Sequence, residues 1–243
     1  MDLENCYLGV IGGLGPQATA YFMELVTSMT DVTCDQQHLN MIVFSNPSTP
    51  DRTAYILDHT QPNPLNKMLE IGRMLEKQGV VLIAIPCVTA HYFFDILEKE
   101  ISVPIINGVQ ETVLRLKENG IHRVGIMATD GTIQSGIFHD ALEKEGLEPI
   151  SPNEEAQKEI MHLIFENIKA GKPVEMARFA AAAAALRNAG AEAIILGCTE
   201  LSLIKKMYPL GPGFIDTMEV LAQQAVLRSG KPLKKEYMDL ITK

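Results

Sequence analysis

The sequence predicts an α/β protein with two similar lobes, each a mostly parallel sheet flanked by helices. Three observations lead to this fold class. Short apolar runs alternate with amphipathic stretches along the whole chain, which is typical of parallel strands joined by helices. The 243 residues suffice for one or two domains with a sizeable core. A faint internal repeat relates the first half of the chain to the second.

The first half predicts three strands and three helices. Pro16 suits the first turn of the helix after the glycine loop, where its missing N–H is not needed. The apolar run 80–86 is short and rich in β-branched residues, which favours a strand buried on both faces. The predicted elements are a strand at 7–11, a helix from 17 to about 31, a strand at 41–45, a helix at 64–77, a strand at 80–86 and a helix at 89–100.

The second half follows the same scheme. The run of alanines at 180–185 indicates a helix, because alanine has the highest helix propensity. The predicted strands are 103–106, 123–127 and 193–196. The predicted helices are 109–119, one ending at about 145, 153–170, 174–189, 199–207, one from 218 to about 229 and a last short helix near the C-terminus.

The internal repeat suggests how the chain divides. Segment 8–11 with its glycine loop resembles segment 124–127, which begins 116 residues later. Segment 82–89 resembles segment 193–199, which begins 111 residues later. Two lobes that each carry one cysteine just past an apolar strand explain both offsets. We therefore predict a first lobe formed by 1–106 plus 215–243, to which the C-terminal helix returns, and a second lobe formed by 107–214.

Composition limits the function classes. The most apolar stretch, 80–88, is about half as long as the roughly 20 residues that a membrane-spanning helix needs. The net charge of −9 argues against nucleic acid, which needs a basic surface. The N-terminus is acidic and polar, without a signal-peptide pattern. The four cysteines match neither a disulfide framework nor a paired metal knuckle, so we expect a cytoplasmic protein with reduced thiols.

The glycine loop admits three interpretations. Residues 13–18 fit the pattern G-x-G-x-x-A between a strand and a helix, as in dinucleotide sites. That site also needs an acidic residue at the end of the second strand, where this chain has Ser45-Asn46-Pro47. A tight strand-to-helix turn, or a helix N-terminus that holds a small carboxylate, agrees better with the sequence.

Two cysteines occupy matching positions. Cys87 and Cys198 each follow an apolar strand and precede a helix, where ligands bind in open α/β sheets and where a helix N-terminus favours the thiolate. Any single cysteine is more often a small buried apolar residue. Cys6 and Cys34 lack the position after an apolar strand and before a helix, and we interpret both as structural. Two thiols facing each other across a cleft suggest stereoinversion, in which one thiolate removes a proton from carbon and the opposite thiol delivers one.

Several motifs, in the right order along almost the whole chain, resemble one family. They are Gly12-Gly13-Leu14-Gly15-Pro16 with Thr19, Asp35-Gln36-Gln37-His38, Asn46-Pro47, Pro50-Asp51-Arg52-Thr53, Pro86-Cys87-Val88-Thr89-Ala90-His91, Ala128-Thr129-Asp130-Gly131-Thr132, Ser135-Gly136 and Gly197-Cys198-Thr199-Glu200. Together they resemble the aspartate/glutamate racemase family, and in particular its aspartate racemase branch. The two cysteine motifs and Pro-Asp-Arg are specific in combination, whereas the glycine loop alone is not.

The resemblance implies an amino-acid racemase with its active site in the cleft between the lobes, without PLP, metal or nucleotide, acting on aspartate or glutamate as a homodimer. It implies that Cys87 and Cys198 are the paired acid and base, that Arg52 binds the substrate carboxylate and that Lys169 lies near the substrate. The further residues that match pocket positions are Asn46, Thr89, Thr129, Thr132 and Thr199, and the supporting ones are Gly13, Gly15, His91 and Glu200.

Two positions depart from the family pattern. Val88 stands where the family usually has Asn, and Phe165 stands where aspartate-specific members often have Tyr. Both changes make the pocket less polar. They leave room for glutamate or a less polar amino acid as substrate, although L- and D-aspartate are the substrates we expect.

Alternatives remain at the level of single residues and of the whole function. Arg52 and Lys169 taken alone are ordinary surface charges, His91 and Glu200 could simply lie in first helical turns, and Thr129 and Thr132 could be turn and cap residues. A glutamate or broad-specificity racemase is the first alternative, and a decarboxylase or cis–trans isomerase on the same scaffold is a more distant one. A catalytically idle protein that binds an amino acid is the alternative of another class.

Overall fold

The predicted two-lobed α/β fold is confirmed by a computed structural model, which describes residues 7–243 and therefore leaves Cys6 outside the described residues. Each lobe is built on one parallel sheet. The first sheet has the strand order β2–β1–β3 and the second has the order β5–β4–β6–β7. The strands are β1 (Tyr7–Gly12), β2 (Asn40–Ser45), β3 (Leu82–Ala84), β4 (Arg123–Met127), β5 (Glu148–Ile150), β6 (Ala193–Leu196) and β7 (Phe214–Asp216).

The two sheets correspond strand by strand. β1 lies between β2 and β3, and β4 lies between β5 and β6. The repeated segments in the sequence fall on β1 and β4 and on β3 and β6. The carboxyl ends of β3 and β6 are therefore equivalent positions in the two lobes.

Helices cover the faces of both sheets in the described part of the chain. They are α1 (Pro16–Met29), α2 (Arg52–Leu57), α3 (Leu65–Lys77), α4 (Phe94–Glu100), α5 (Gly108–Glu118), α6 (Asp130–Ser135), α7 (Ile137–Lys144), α8 (Glu154–His162), α9 (Met176–Asn188), α10 (Thr199–Met207) and α11 (Thr217–Arg228). A π-helical segment at Leu163–Lys169 continues α8, and short 3-10 segments lie at Asp35–Gln37, Thr89–Phe93 and Lys235–Tyr237.

The core of each lobe lies on both faces of its sheet. Because side chains alternate across a strand, β1 directs Leu8 and Val10 towards α1 and α11, and Ile11 towards α3 and α4. β4 likewise directs Ile126 towards α5 and α7, and Met127 towards α8 and α9. Each of these fully buried side chains contributes about 1.5–3 kcal/mol. Burial on both faces explains why the strands are short continuous apolar runs.

Two helices connect the lobes. α5 buries Val113 and Leu116 over the second sheet, α11 buries Leu221 and Val226 over the first, and the two helices pack against each other. β7 lies in the second sheet beside β6 and spans residue 215, where we placed a lobe boundary. The predicted limits of the lobes stay a prediction.

The structure differs from the predicted elements where proline or glycine intervenes. The predicted strand at 103–106 is reduced to a single parallel bridge between Ile83 and Ile105, since Pro104 has no N–H to offer a ladder. The predicted helix ending near 145 is broken into α6 and α7 at Gly136, which adopts the left-handed conformation with φ of 72°. The short elements β5, β7 and α2 were not predicted.

Candidate active site

Both cysteines that the sequence singles out line one cavity. Cys87 follows β3 and Cys198 follows β6, at the equivalent carboxyl ends of the two sheets, and both side chains are buried. The cavity is narrow, with a volume of about 10 Å³. Its lining residues are Leu14, Asp51, Arg52, Thr53, Cys87, Val88, Thr89, Thr129, Lys169, Cys198, Thr199 and Glu200. The placement of both thiols in one cleft agrees with the two-thiol geometry that the sequence suggests.

Cys198 has an acidic partner. Its Sγ donates a hydrogen bond to Oε2 of Glu200 at 2.9 Å, and the Thr199 hydroxyl donates to the same oxygen at 3.2 Å. Burial and the adjacent Glu200 carboxylate raise the pKa of the Cys198 thiol well above its ordinary value, while Lys169 opposes this shift. Cys198 is therefore a protonated thiol at neutral pH.

Cys87 has a basic partner. Burial lowers the pKa of the Arg52 guanidinium, but its interactions with Cys87, Asp51 and Glu200 outweigh burial, so the pKa of Arg52 is raised. An arginine at this position stabilises negative charge on the Cys87 sulfur. The two cysteines consequently lie in opposite electrostatic surroundings, Cys87 beside a cation and Cys198 beside an anion.

Arg52 is held by backbone carbonyls and keeps one nitrogen free. Its Nη1 donates to Pro50 O at 3.1 Å and its Nη2 donates to Leu14 O at 2.5 Å. Its Nε is buried and has no hydrogen-bond partner. An unpaired buried donor is costly, so a carboxylate that accepts from Nε would relieve this cost on binding. The carbonyl oxygens of Leu14 and Pro50 thus fix the position of the Arg52 guanidinium.

Four buried or nearly buried threonine hydroxyls form a hydrogen-bonded group at the cavity wall, which we call the threonine cluster. It joins residues from both lobes, and its Oγ1–Oγ1 distances lie between 3.0 and 3.3 Å. Thr129 also caps α6 by accepting from the Thr132 N–H. The members are Thr53, Thr89, Thr129 and Thr132. Their hydroxyls can re-orient to donate to a carboxylate without moving the backbone.

Lys169 belongs to the π-helical segment. Its Nζ lies 4.2 Å from the centre of the Phe165 ring and 4.0 Å from Oε1 of Glu200. The wider π turn replaces the end of the single long helix predicted at 153–170, and such turns occur often at functional sites. Phe165 does not line the cavity and affects it through Lys169, whose ammonium rests on the ring face.

His91 lies behind Cys87 and not in the cavity. Its Nδ1 is 3.1 Å from the Cys87 carbonyl oxygen, and its Nε2 accepts a hydrogen bond from the Gly108 N–H at 3.1 Å. Burial lowers the pKa of His91, although the backbone hydrogen bonds oppose this. Both ring nitrogens are therefore occupied by backbone groups, and neither faces the Cys87 sulfur.

The glycine loop forms a tight turn at the mouth of the cavity. The Gly13 N–H donates to the Thr19 hydroxyl at 2.8 Å and is not available to a phosphate group. Gly13 has φ of 86°, and a Cβ there would lie 2.2 Å from the Asn46 nitrogen. Gly13 and Gly15 line an outer vestibule of about 500 Å³, which shares Arg52, Lys169 and Glu200 with the inner cavity. This geometry favours the turn over the dinucleotide site.

The remaining predicted residues divide into two groups. Val88 and Thr199 line the cavity, and Thr132 joins it through the threonine cluster. Asn46 lies at the end of β2, where its side chain is bonded to Thr49 and Ser48, and does not line the cavity. Three cavity residues were not predicted as site residues although their neighbours were. They are Leu14, Asp51 and Thr53, and all three belong to motifs that flank predicted residues.

Two properties of residues 7–243 bear on the class of site. Across this range, no group of three or more His, Cys, Asp and Glu side chains is arranged to hold a metal ion. None of the helices in it combines the length and apolar character needed to cross a membrane.

Comparison with known proteins identifies related chains. Residues 11–225 match the model of the family described as Asp/Glu/Hydantoin racemase. The chain is 28% identical over 227 residues to the broad specificity amino-acid racemase RacX of Bacillus subtilis, covering 90% of this chain and 96% of that protein. It is also similar to Picrophilus torridus aspartate racemase, with a TM-score of 0.79, 31% identity, and coverage of 96% of this chain and 97% of the other. A putative Asp/Glu racemase from Yersinia pestis shares the fold at 21% identity and a TM-score of 0.79, over 93% of this chain and all of the other.

Proposed function

Because the chain belongs to the Asp/Glu/hydantoin racemase family, we propose that it is an amino-acid racemase in which Cys87 and Cys198 act on opposite faces of one α-carbon. The observation that carries this proposal is the pair of thiols in one cavity, at equivalent strand ends, with Arg52 beside one and Glu200 beside the other.

The two surroundings assign starting roles to the thiols. We propose that Cys87 is the base in the direction described here, because the Arg52 guanidinium lies beside its sulfur. We take Cys198 as the resting thiol, because burial and Glu200 raise its pKa. In one direction Cys87 accepts the α-proton and Cys198 donates its own proton to the other face of the carbon. The opposite direction starts from the exchanged state, in which Cys198 is the thiolate and Cys87 is the thiol.

Charge that develops on the substrate must be stabilised while its α-carbon is planar. Loss of the α-proton spreads negative charge into the carboxylate, so donors aimed at that carboxylate lower the barrier. We propose that Arg52 Nε and the hydroxyls of Thr89 and Thr129 supply these donors. The group is fixed before substrate arrives, since Arg52 is tied to Leu14 O and Pro50 O.

We propose aspartate as the substrate. Lys169 is placed at the border between cavity and vestibule, where it can meet a second carboxylate. The similarity to an aspartate racemase at 31% identity supports this choice. The second candidate is a broader range of amino acids, including glutamate. It is favoured by the open vestibule of about 500 Å³ and by the apolar Val88 at the cavity wall.

The remaining expectations follow from the same proposal. The steps above use two thiols, one guanidinium and hydroxyl groups, so we propose that the reaction proceeds without PLP, metal or nucleotide. We further propose that the protein is a cytoplasmic homodimer that does not act on nucleic acid or membranes.

The direct test is proton NMR in D₂O with the reduced protein and L-aspartate, L-glutamate or L-alanine in separate samples. We expect the α-proton signal of L-aspartate to disappear and D-aspartate to appear on a chiral column. Exchange with all three substrates would instead support the broad-specificity candidate. Binding of an amino acid without exchange would support an idle binding protein and contradict the proposal.

Variants of the cysteines separate chemistry from folding. We expect Cys87→Ala and Cys198→Ala each to abolish racemisation. The matched control is Cys34→Ala, because Cys34 is exposed and lies outside the cavity. Near-full racemisation by either active-site variant would show that the two-thiol assignment is wrong. Exchange of the α-proton without racemisation in one variant would instead identify which thiol acts on which enantiomer.

A further inference from the structure

The turn that follows Cys87 lacks one hydrogen bond that its counterpart in the second lobe has. After Cys198, the carbonyl oxygen of that residue accepts from the N–H groups of Leu201 at 2.9 Å and Ser202 at 3.3 Å, as in a helix. After Cys87 the chain forms a 3-10 turn instead, and the His91 N–H donates to Val88 O at 2.9 Å. The Cys87 carbonyl therefore receives no backbone N–H from residue 91.

The His91 side chain supplies the missing bond. The Gly108 N–H can only donate, so His91 Nε2 must be the unprotonated acceptor nitrogen. A neutral ring then carries its proton on Nδ1, which donates to the Cys87 carbonyl at 3.1 Å. The imidazole thus connects Cys87 of the first lobe to Gly108, the first residue of α5, which packs over the second sheet.

The second lobe has an equivalent connection at the same distance from its cysteine. Ser202 lies four residues after Cys198, as His91 lies four residues after Cys87. The Ser202 hydroxyl donates to Asp216 Oδ1 at 2.6 Å, and Asp216 caps α11. In both lobes, a side chain four residues after the cysteine is therefore hydrogen-bonded to the start of a connecting helix, which is α5 for His91 and α11 for Ser202.

We propose that His91 is a positioning residue for Cys87, which holds the cysteine turn to the start of α5 as a neutral imidazole and exchanges no proton during the reaction. The proposal rests on the proposed function, since positioning matters only if Cys87 is a base. It differs from a role in proton transfer, for which one ring nitrogen would have to be free to reach the Cys87 sulfur.

Two substitutions separate the two bonds of the ring. In His91→Asn the amide nitrogen can replace Nδ1 as donor to the Cys87 carbonyl, whereas in His91→Gln the amide oxygen can replace Nε2 as acceptor from Gly108. We expect His91→Asn to lower kcat by about threefold and His91→Gln to lower it by about tenfold or more, with KM unchanged in both. His122→Gln is the matched control, because His122 precedes the amino end of β4, opposite the carboxyl ends that carry the site.

A second readout does not depend on racemisation. Iodoacetamide alkylation is followed by peptide mass spectrometry, so that Cys87 and Cys198 are measured in the same protein. We expect the pH profile of Cys87 alkylation to change in His91→Gln and to be kept in His91→Asn, while Cys198 is unaffected in both. In nitrogen-15 NMR of the histidine rings, the His91 signals are assigned by their absence in His91→Asn. We expect these signals to show a neutral ring that is protonated on Nδ1.

The outcomes are distinguishable. A loss of about a hundredfold or more in His91→Asn, together with loss of a titration between pH 5 and 8, would show that the ring transfers protons and overturn the proposal. Wild-type kcat and wild-type Cys87 alkylation in His91→Gln would also overturn it, as would a ring protonated on Nε2. If the wild-type protein exchanges no α-proton, the proposed function fails, and the alkylation profiles and the ring signal still decide the role of His91.

Discussion

Replacing Glu200 by glutamine should make Cys198 more acidic and more reactive. In the wild-type protein the Cys198 thiol donates to Glu200 Oε2 at 2.9 Å, inside a site where the Glu200 side chain is 8% exposed. The carboxylate raises the pKa of Cys198 in two ways, because it accepts from the protonated thiol and repels the thiolate. Glutamine has nearly the same shape, carries no charge and can donate to a thiolate.

The size of the effect follows from the hydrogen bond that is lost. A hydrogen bond to a charged group contributes about 1.5–3 kcal/mol to the state that contains it. Since about 1.4 kcal/mol corresponds to a factor of ten in an equilibrium constant, the thiolate population of Cys198 at a fixed pH near 7 should rise about ten- to hundredfold. The alkylation rate of Cys198 should rise as well, by a smaller factor, because the thiolate is the nucleophile but its nucleophilicity falls as the pKa of the thiol falls.

The assay is iodoacetamide alkylation between pH 6 and 10 with peptide-resolved mass spectrometry, in which Cys87 serves as the internal reference. Glu166→Gln is the matched control, since Glu166 is exposed and pairs with Lys172 at 3.6 Å away from the cavity. We also expect racemisation to fall in Glu200→Gln, because a larger share of Cys198 then rests as thiolate and has no proton to deliver. An unchanged or slower alkylation of Cys198 in a folded Glu200→Gln protein would refute the reasoning.

Three further predictions concern stability, measured as the free energy of unfolding in urea. Gly13→Ala should lower it by at least about 1 kcal/mol, because φ is positive there and a Cβ would meet the Asn46 nitrogen at 2.2 Å. Thr129→Val should lower it by about 1–2 kcal/mol, since it removes the cap of α6 and bonds to three other hydroxyls. Burial raises the pKa of Asp216, and burial together with the Asp216 carboxylate raises the pKa of Glu219 to about 7. The native state therefore holds more protons than the unfolded state, and the free energy of unfolding should fall as the pH rises from 5 to 8. Asp216→Asn should make this fall smaller.

Each of these stability predictions has a simple check. Gly211→Ala is the control for Gly13→Ala, since a Cβ at Gly211 meets nothing within 4 Å and its φ is not positive. Equal stability of the two alanine variants would contradict the steric reasoning. A Thr129→Val protein as stable as wild type would show that the threonine cluster contributes nothing to the free energy of unfolding. An unchanged pH dependence in Asp216→Asn would mean that other groups produce it.

Strands β1, β3, β4 and β6 could be predicted well because each is a buried apolar run. The predicted strands at 123–127 and 193–196 coincide with β4 and β6. The sequence did not predict β5 and β7, which have three residues each and too few alternations to form a pattern. The π-helical segment also could not be predicted, because its apolar spacing within 153–170 resembles that of an ordinary helix.

The site could be predicted as far as motifs mark it. The cysteines stood out because each follows an apolar strand, and the structure places both in one cavity. The predicted role of Asn46 in the pocket stays a prediction, and its hydrogen bonds to Ser48 and Thr49 are contacts that the sequence could not show. Leu14 takes part through its carbonyl oxygen, which accepts from Arg52, and no side-chain motif can indicate a backbone contact of this kind.

The two lobes share a scaffold, but their charges differ, and this difference suits the proposed chemistry. β3 and β6 end at equivalent cysteines, so the repeat alone would give two equivalent thiols. The residue two positions after each cysteine is Thr89 in the first lobe and Glu200 in the second. Arg52, at the start of α2, lies beside Cys87, whereas the hydrogen-bond partner of Cys198 is Glu200.

Before each turnover, a two-base inversion requires one thiolate, which accepts a proton, and one thiol, which donates one. Two resting thiolates would leave no proton to deliver, and two resting thiols would leave no base to remove one. A cation beside Cys87 and an anion beside Cys198 favour the mixed state over both of these. Lys169 lies 4.0 Å from Glu200 and opposes the raised pKa of Cys198. In the proposed mechanism it therefore favours the exchanged state, which the reverse direction needs.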